Sequence, residues 1–262
     1  MPTRLIQIPM PEHCDSARPQ HAVPFIHEEK NSKSLHFSID QLQSRMCTNR
    51  PDELELDYTK TMMGFLLLNR RPKHIAMIGL GGGSLAKFCY RHLPETKITV
   101  VEINPHVIAL RKDFLVPDDN ERFKVIEADG ADFVRDADAE FDVLLVDGYD
   151  QKGQAPQLGS QHFYENCSRV LMDQGVMAVN LHAYHLTYEL FVDRINRSFD
   201  SNTAEVAANK DGNTIVFAGK NIPISAQGMR KNIDAEYFAL DHLKSLKAVF
   251  QKIAWDWQNP KS

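Results

Sequence analysis

Five short runs of continuous apolar character, HIAMIGL from His74, KITVVEI from Lys97, FKVIEAD from Phe123, FDVLLVD from Phe141 and GVMAVNL from Gly175, dominate the pattern of this chain. They are separated by stretches long enough for helices, such as SLAKFCYRHL and PHVIALRKDFL. Strands that lack polar alternation are buried on both faces, so the pattern predicts a mostly parallel sheet with helices on either side, an α/β fold of Rossmann type. Right-handed crossovers then bring the carboxyl ends of all these strands to one edge. Ligands of such sheets bind at that edge, which makes the strand-end residues the place to look for chemistry.

The flanking sequence reads differently. Residues 1–23 carry four prolines and no periodicity, and are expected to form an extended arm. PFIHEEK, KSLHFSID and QLQSRMCT, with Asn31 and Ser32 as turn formers, predict a small antiparallel β element. Leu54 to Leu68 has near-helical apolar spacing and predicts one helix leading into the main domain. TAEVAA and NTIVFAG flank an Asp211-Gly212 turn signal and predict a terminal hairpin, and residues 233–254 a helical tail. The expected organisation is an arm and β element over 1–53, a nucleoside-binding catalytic domain over 54–221 and a helical tail over 222–262. At 262 residues, 43% hydrophobic and 25% charged, the composition suits a globular chain of this plan.

The strand ends carry the candidate site. The first strand runs into Gly79-Leu80-Gly81-Gly82-Gly83-Ser84, where absent side chains allow a tight turn and a close ligand approach to backbone amides. Glu102 ends the second strand twenty-three positions after Gly79, close to the spacing of a carboxylate that accepts from ribose hydroxyls. A nucleoside is therefore the expected ligand. Asp129-Gly130 follows the third strand, where a small acid can accept from the exocyclic amine of adenine. The fourth delivers Asp147-Gly148-Tyr149-Asp150, two carboxylates suited to a cationic substrate with an aromatic face between them. Twelve acids against three bases between Asp118 and Asp150 agree with that sign, although Asp118, Asp119, Asp136 and Asp138 read as solvated surface charges. Glycines, Glu102, Asp129 and the Asp pair each also have a bland reading as turn or capping residues.

Taken together, IGLGGGS, VVEINP, EADG and VDGYD followed by SQHFYENCSRVLMDQGVMAVN resemble the polyamine aminopropyltransferases, the spermidine and spermine synthase family. The likeness runs from about Leu54 to Gly219, and its long last segment is the most specific. It implies a methyltransferase-like Rossmann domain and transfer of an aminopropyl group from decarboxylated S-adenosylmethionine to an amine. It further implies Asp147 as proton acceptor, Asp150, Tyr149 and Tyr58 at the amine, and Gly79, Gly81, Gly83, Glu102, Asp129 and Gly130 at the nucleoside. A homodimer is implied as well, for which Met46, Met62 and Met63 are candidate contacts, although methionine at such spacing is more often core filler. Three departures stand out: the acid of the family's glycine loop is Gly82 here, its YHE motif reads Tyr58-Thr59-Lys60, and Gln151 replaces the proline after the Asp pair.

Two other functions share these residues: a methyltransferase using intact S-adenosylmethionine, and a non-catalytic nucleoside-binding or assembly protein of the same fold. The donor tail discriminates the first, since a methyl donor keeps a carboxylate that calls for a basic partner. His182 and His185 lack the partners of a metal cluster, so no metal is assigned. A net charge of -5 gives no general attraction to nucleic acid. Unpaired cysteines, no apolar run of spanning length and no secretory leader point to a cytoplasmic protein with neither membrane nor nucleic acid as partner.

Overall fold

A computed structural model of the chain describes residues 4–6, 21–39, 41–150, 153–209, 212–224 and 241–256. Within the arm, β1 (Arg4–Ile6) is a strand rather than unpaired chain, and the rest of 1–20 lies outside the described residues. It joins β2 (Phe25–Glu28), β3 (Ser32–Ser38) and β4 (Gln41–Cys47) in a four-stranded sheet of order β1-β2-β3-β4, antiparallel throughout. The three sequence segments read as strands are β2 to β4. Ile26, Leu35 and Met46 are buried beneath this sheet.

The single helix expected over Leu54 to Leu68 is instead α1 (Asp57–Met62) followed by a 3-10 segment, Met63–Leu67. The change of helix type falls at Gly64, where a Cβ would lie 2.7 Å from Phe217 and 2.7 Å from Ile253. Backbone approaches side chains too closely there for an ordinary turn with ordinary residues. Met62, Met63 and Met46 are 0%, 0% and 1% exposed, so they are core filler and none of them is a surface available to a second copy. Thioethers fill irregular core gaps, and that is their place here.

The main sheet is built from β5 (His74–Ile78), α2 (Ser84–His92), β6 (Lys97–Glu102), α3 (Pro105–Ala109), β7 (Phe123–Glu127), α4 (Gly130–Asp136) and β8 (Phe141–Val146). A hairpin, β9 (Tyr149–Asp150) with β10 (Gly153–Gln154), then leads to α5 (Gln161–Val170), β11 (Leu171–His182), α6 (Tyr188–Ser198), β12 (Thr203–Ala207) and β13 (Asn213–Gly219). Seven strands lie in the order β12-β13-β11-β8-β5-β6-β7. β11, β8, β5, β6 and β7 are parallel, while β13 is antiparallel to both neighbours. Strand order reverses direction between β5 and β8, the switch point at which doubly wound sheets hold ligands.

Both faces of the sheet are covered at β5, β6, β8 and β11, which explains their uninterrupted apolar runs, whereas the edge strand β7 is buried only at Phe123. Ile75 and Met77 of β5 pack on one side with Phe88, Phe217, Phe250 and Ile253, and Ala76 and Ile78 on the other with Phe163, Tyr164 and Ile195. The tail contributes α7 (Asp241–Lys244) and α8 (Lys247–Asp256); residues 225–240, which include the start of the expected helix, lie outside the description, as does Asp211 of the hairpin turn. The helix expected over PHVIALRKDFL ends early, at Ala109, and gives way to turns in which Leu115 has φ 54°. Arg111 and Asp119 then fasten that loop, 2.7 Å apart.

Lys87 of α2 is 4% exposed, donating to the Phe114 carbonyl at 2.8 Å with the Met46 sulfur 3.0 Å away. Burial pushes its ammonium down to about 7, with Asp52 pulling the other way. The unfolded chain therefore takes up a proton between about pH 7 and the free-lysine value of ~10.4 that the native state does not hold. Lys87 thus disfavours the fold below about pH 7 and ceases to do so above the unfolded value. Replacing it by methionine is expected to stabilise the protein more at pH 6.5 than at pH 9.5 in urea melts. An identical difference at both pH values would contradict the buried ammonium.

Candidate active site

The ends of β5, β6 and β8 are tied to one another before any side chain takes part. Asp147 N–H donates to the Ile78 carbonyl at 2.8 Å, and Gly79 N–H to the Val101 carbonyl at 2.8 Å. Gly79 has φ +98°, and a Cβ there would sit 2.2 Å from the Asp147 carbonyl oxygen. Only glycine permits this approach.

Around this seam opens a cavity of about 1230 Å³, whose wall includes Gly79, Gly81, Glu102, Asp129, Gly130, Asp147, Tyr149 and Tyr58. Eight of the predicted site residues therefore converge. Gly83 does not line it: its φ is +68°, it precedes α2 as N-cap, and a Cβ would meet Val116 at 2.5 Å, so its glycine serves the turn. Asp150 is placed by its backbone alone, in β9 opposite Gly153. Residues 151–152 at the tip of that hairpin lie outside the description.

Glu102 is 9% exposed, with Oε2 accepting from Leu80 N–H at 2.9 Å and Oε1 from Asn104 N–H at 2.8 Å. Burial raises its pKa, and these amides act against the rise by favouring the carboxylate. The Gly81 and Ile103 amides act on it in the same sense, and the carboxylate lines the cavity where a diol would reach it. Capping of α3 falls to Asn104, whose side chain accepts from His106 N–H, and not to Glu102. Asp129 has the capping role, and it also lines the cavity. Oδ1 caps α4 by accepting from Ala131 N–H at 2.7 Å, while Oδ2 accepts from Gln157 at 3.2 Å on the cavity side.

Asp147 is half-buried and lines the cavity. Asn180 of β11 donates to its Oδ1 at 2.9 Å and the Tyr58 hydroxyl of α1 also hydrogen-bonds the carboxylate. Desolvation raises its pKa while both donors oppose the rise. The same burial, together with the Asp147 charge, lifts the Tyr58 phenol well above its ordinary value. Tyr149 is lifted likewise and donates to the Asn180 carbonyl at 3.0 Å. Tyr58 and Tyr149 are therefore neutral donors, the first to the acid and the second to the Asn180 carbonyl beside it.

Sequence departures acquire physical explanations. A Cβ at Gly82 would lie 2.6 Å from Ser44 Oγ and 2.9 Å from Phe114, because β4 sets Ser44 over the loop, 3.2 Å from Ser84 Oγ. Gly82→Asp is expected to cost about 1–3 kcal/mol through overpacking. Thermal denaturation should show the loss, and Ser44→Gly in the same chain should recover part of it. Lys60 does not line the cavity; it pairs with Asp57 at 3.2 Å. Thr59 does, with its hydroxyl donating to the Leu56 carbonyl.

Five carboxylates, Glu55, Asp57, Glu102, Asp129 and Asp147, line the cavity, and no lysine or arginine does among the described residues. The wall suits a cation. Gln43, Ser44, Gln157 and Asn180 also line it, and single-residue signals in the sequence did not mark them. The long segment ending in Asn180 was the one signal that covered any of them. His182 and His185 stand at the cavity rim, His185 bonded to Thr187 at 2.8 Å. No group of three or more metal-ligating side chains occurs among the described residues, and none of the described helices is long and apolar enough to cross a membrane.

Comparison with known proteins agrees with this geometry. Residues 55–209 match the model of the Spermine/spermidine synthase domain. A polyamine aminopropyltransferase from Chromobacterium violaceum is 39% identical over 212 residues, 80% of this chain and 81% of that one. Among solved structures, a spermidine synthase in complex with a transition-state analogue superposes with a TM-score of 0.63 at 23% identity, covering 85% of this chain and 77% of the other. Human methyltransferase-like protein 13, solved with S-adenosylhomocysteine, superposes with a TM-score of 0.58 at 22% identity over 79% and 94%. At those identities the two structures establish the fold, a methyltransferase-like Rossmann sheet.

Proposed function

Because the chain belongs to the spermine/spermidine synthase family, we propose that it transfers an aminopropyl group from decarboxylated S-adenosylmethionine to an amine of the polyamine class, with Asp147 as the proton acceptor. The observation that carries this reading is a cavity walled by five carboxylates in which Asp147 is clamped by Tyr58 and Asn180. An intact methyl donor would bring a carboxylate into that acidic wall. The name of the 39% identical relative also supports aminopropyl over methyl transfer, and a catalytic over a non-catalytic role.

The residues fit the donor. Glu102 offers acceptors at the depth of the first strand turn, Asp129 and Gln157 offer a polar edge, and Gly81 leaves room beside the backbone. When bound, the donor supplies a propyl carbon made electrophilic by its sulfonium; the amine nitrogen forms a bond to that carbon as the carbon–sulfur bond breaks, releasing methylthioadenosine. This chain must supply orientation and a home for one proton. An alkylammonium and a carboxylate differ by roughly six pKa units in water, ~8 kcal/mol against the transfer. Burial of Asp147 narrows that gap, and neighbouring carboxylates attract the cation before reaction. Holding the two reactants in line inside the cavity contributes at least as much.

Asp150 and Tyr149 are assigned to the amine side, with Tyr58 beside the base. The reading includes a homodimer in the cytoplasm acting on small molecules, neither nucleic acid nor membrane being a partner. Its pairing surface excludes Met46, Met62 and Met63, which are in the core. The test is release of methylthioadenosine from purified protein given decarboxylated S-adenosylmethionine and a series of diamines. Product that depends on the amine supports the reading. Turnover of intact S-adenosylmethionine alone would replace it with methyl transfer.

A further inference from the structure

Asn180 is not held only by Asp147. Its Oδ1 accepts from Asn213 Nδ2 at 3.1 Å, and Asn213 Oδ1 accepts from Asn209 Nδ2 at 3.2 Å. Asn209 Oδ1 in turn accepts from the backbone N–H of Asn213 at 3.1 Å. The register of β11 with β13 pairs His182 with Asn213 and Asn180 with Ile215, so Asn180 and Asn213 are diagonal neighbours on one face. Asn180 is 3% exposed, and Asn209 and Asn213 also reach the cavity wall.

An amide can face a neighbour with either end, but this chain leaves no choice. A backbone N–H only donates, which makes the Asn209 oxygen the acceptor there and turns its NH2 toward Asn213. That sets the Asn213 oxygen toward Asn209 and its NH2 toward Asn180. The Asn180 oxygen is then taken, and its NH2 is left pointing at Asp147. The carboxylate at the far end, which only accepts, agrees with this direction. Direction is thus imposed from both ends of the relay. The hairpin β12–β13, remote in sequence, determines what the acid on β8 meets.

We propose that Asn213 is a positioning residue for the reaction, acting through Asn180 to keep a donor on Asp147 Oδ1 and so to hold that carboxylate in one orientation toward the amine. The proposal rests on the reading of Asp147 as the base. Without Asn213 the Asn180 amide loses the partner that fixes its orientation, and its oxygen can turn against the carboxylate. Loss of a hydrogen bond to the charged form disfavours that form. The Tyr58 phenol faces Asp147, the Tyr149 phenol is bonded to the Asn180 carbonyl beside it, and Glu55, Asp57, Glu102, Asp129, His182 and His185 share its cavity; all are unchanged in the variants below.

The test is the size-matched Asn213→Leu, followed through the infrared band of the Asp147 carboxyl, isolated by subtracting the spectrum of Asp147→Asn. The protonation midpoint is expected to rise by about one pH unit. In the aminopropyl transfer assay kcat should fall about tenfold with KM for the donor unchanged, and the loss should not add to that of Asn180→Leu, since both remove the same donor. A band that does not move, or losses that add in full, would overturn the positioning role. Should Asn213→Leu fail to fold, Asn209→Ala releases the anchor, leaves β13 intact and must shift the band in the same direction. The two readings separate cleanly. An unmoved band leaves the base assignment standing, whereas full turnover by Asp147→Asn removes the base assignment without affecting the band.

Discussion

Asp147→Asn is expected to lower turnover by a factor of about 10²–10⁴, the range supplied by a general base, while leaving affinity for methylthioadenosine unchanged. Asparagine fits the same space. It can still accept from Asn180 at the Oδ1 position and present its NH2 elsewhere, so the hydrogen-bonded surroundings survive the exchange. What disappears is the capacity to take a proton. Single-turnover measurements with saturating donor and amine isolate that step from product release. Undiminished turnover would falsify the assignment, and loss of nucleoside affinity in parallel would show that Asp147 acts on the donor instead.

Glu102→Gln should weaken methylthioadenosine binding by about 10- to 100-fold, the effect of removing one charge-assisted pair of hydrogen bonds. The structure adds a second consequence. Both oxygens accept from backbone amides, so glutamine must turn its NH2 against either Leu80 N–H or Asn104 N–H. One donor is left unpaired in a site that is 9% exposed, at a cost of about 1–3 kcal/mol. Calorimetric titration reads the affinity and thermal denaturation the stability. A stable variant with parental affinity would mean that neither the diol nor the loop depends on this carboxylate.

Much of this architecture was legible because its cause is local. Two-sided burial writes itself into the sequence as β5, β6, β8 and β11, and the acids that end those strands fall on one edge by chain topology. Elements shaped by distant contacts were not legible. The 3-10 turn at Gly64 answers to Phe217 and Ile253, far along the chain, and α3 stops where Arg111 turns away to Asp119. The same division runs through the site. Glu102 and Asp147 follow from position on a strand, whereas Ser44 matters because another sheet lays it over Gly82, and Gln157 because it meets Asp129 across a loop. Lys60, where the family's motif has an acid, pairs one helical turn away with Asp57.

The contact of Gly79 with the Asp147 carbonyl has an evolutionary corollary. Two strand ends that meet with no side chain between them cannot drift apart independently, so on the proposed reading the donor side and the proton-accepting side of the cavity are spaced by one backbone contact. Adaptation to a new acceptor then falls to other parts of the wall, such as Gln43 and Ser44 of β4 and Gln154 of β10, where exchanges leave that contact untouched.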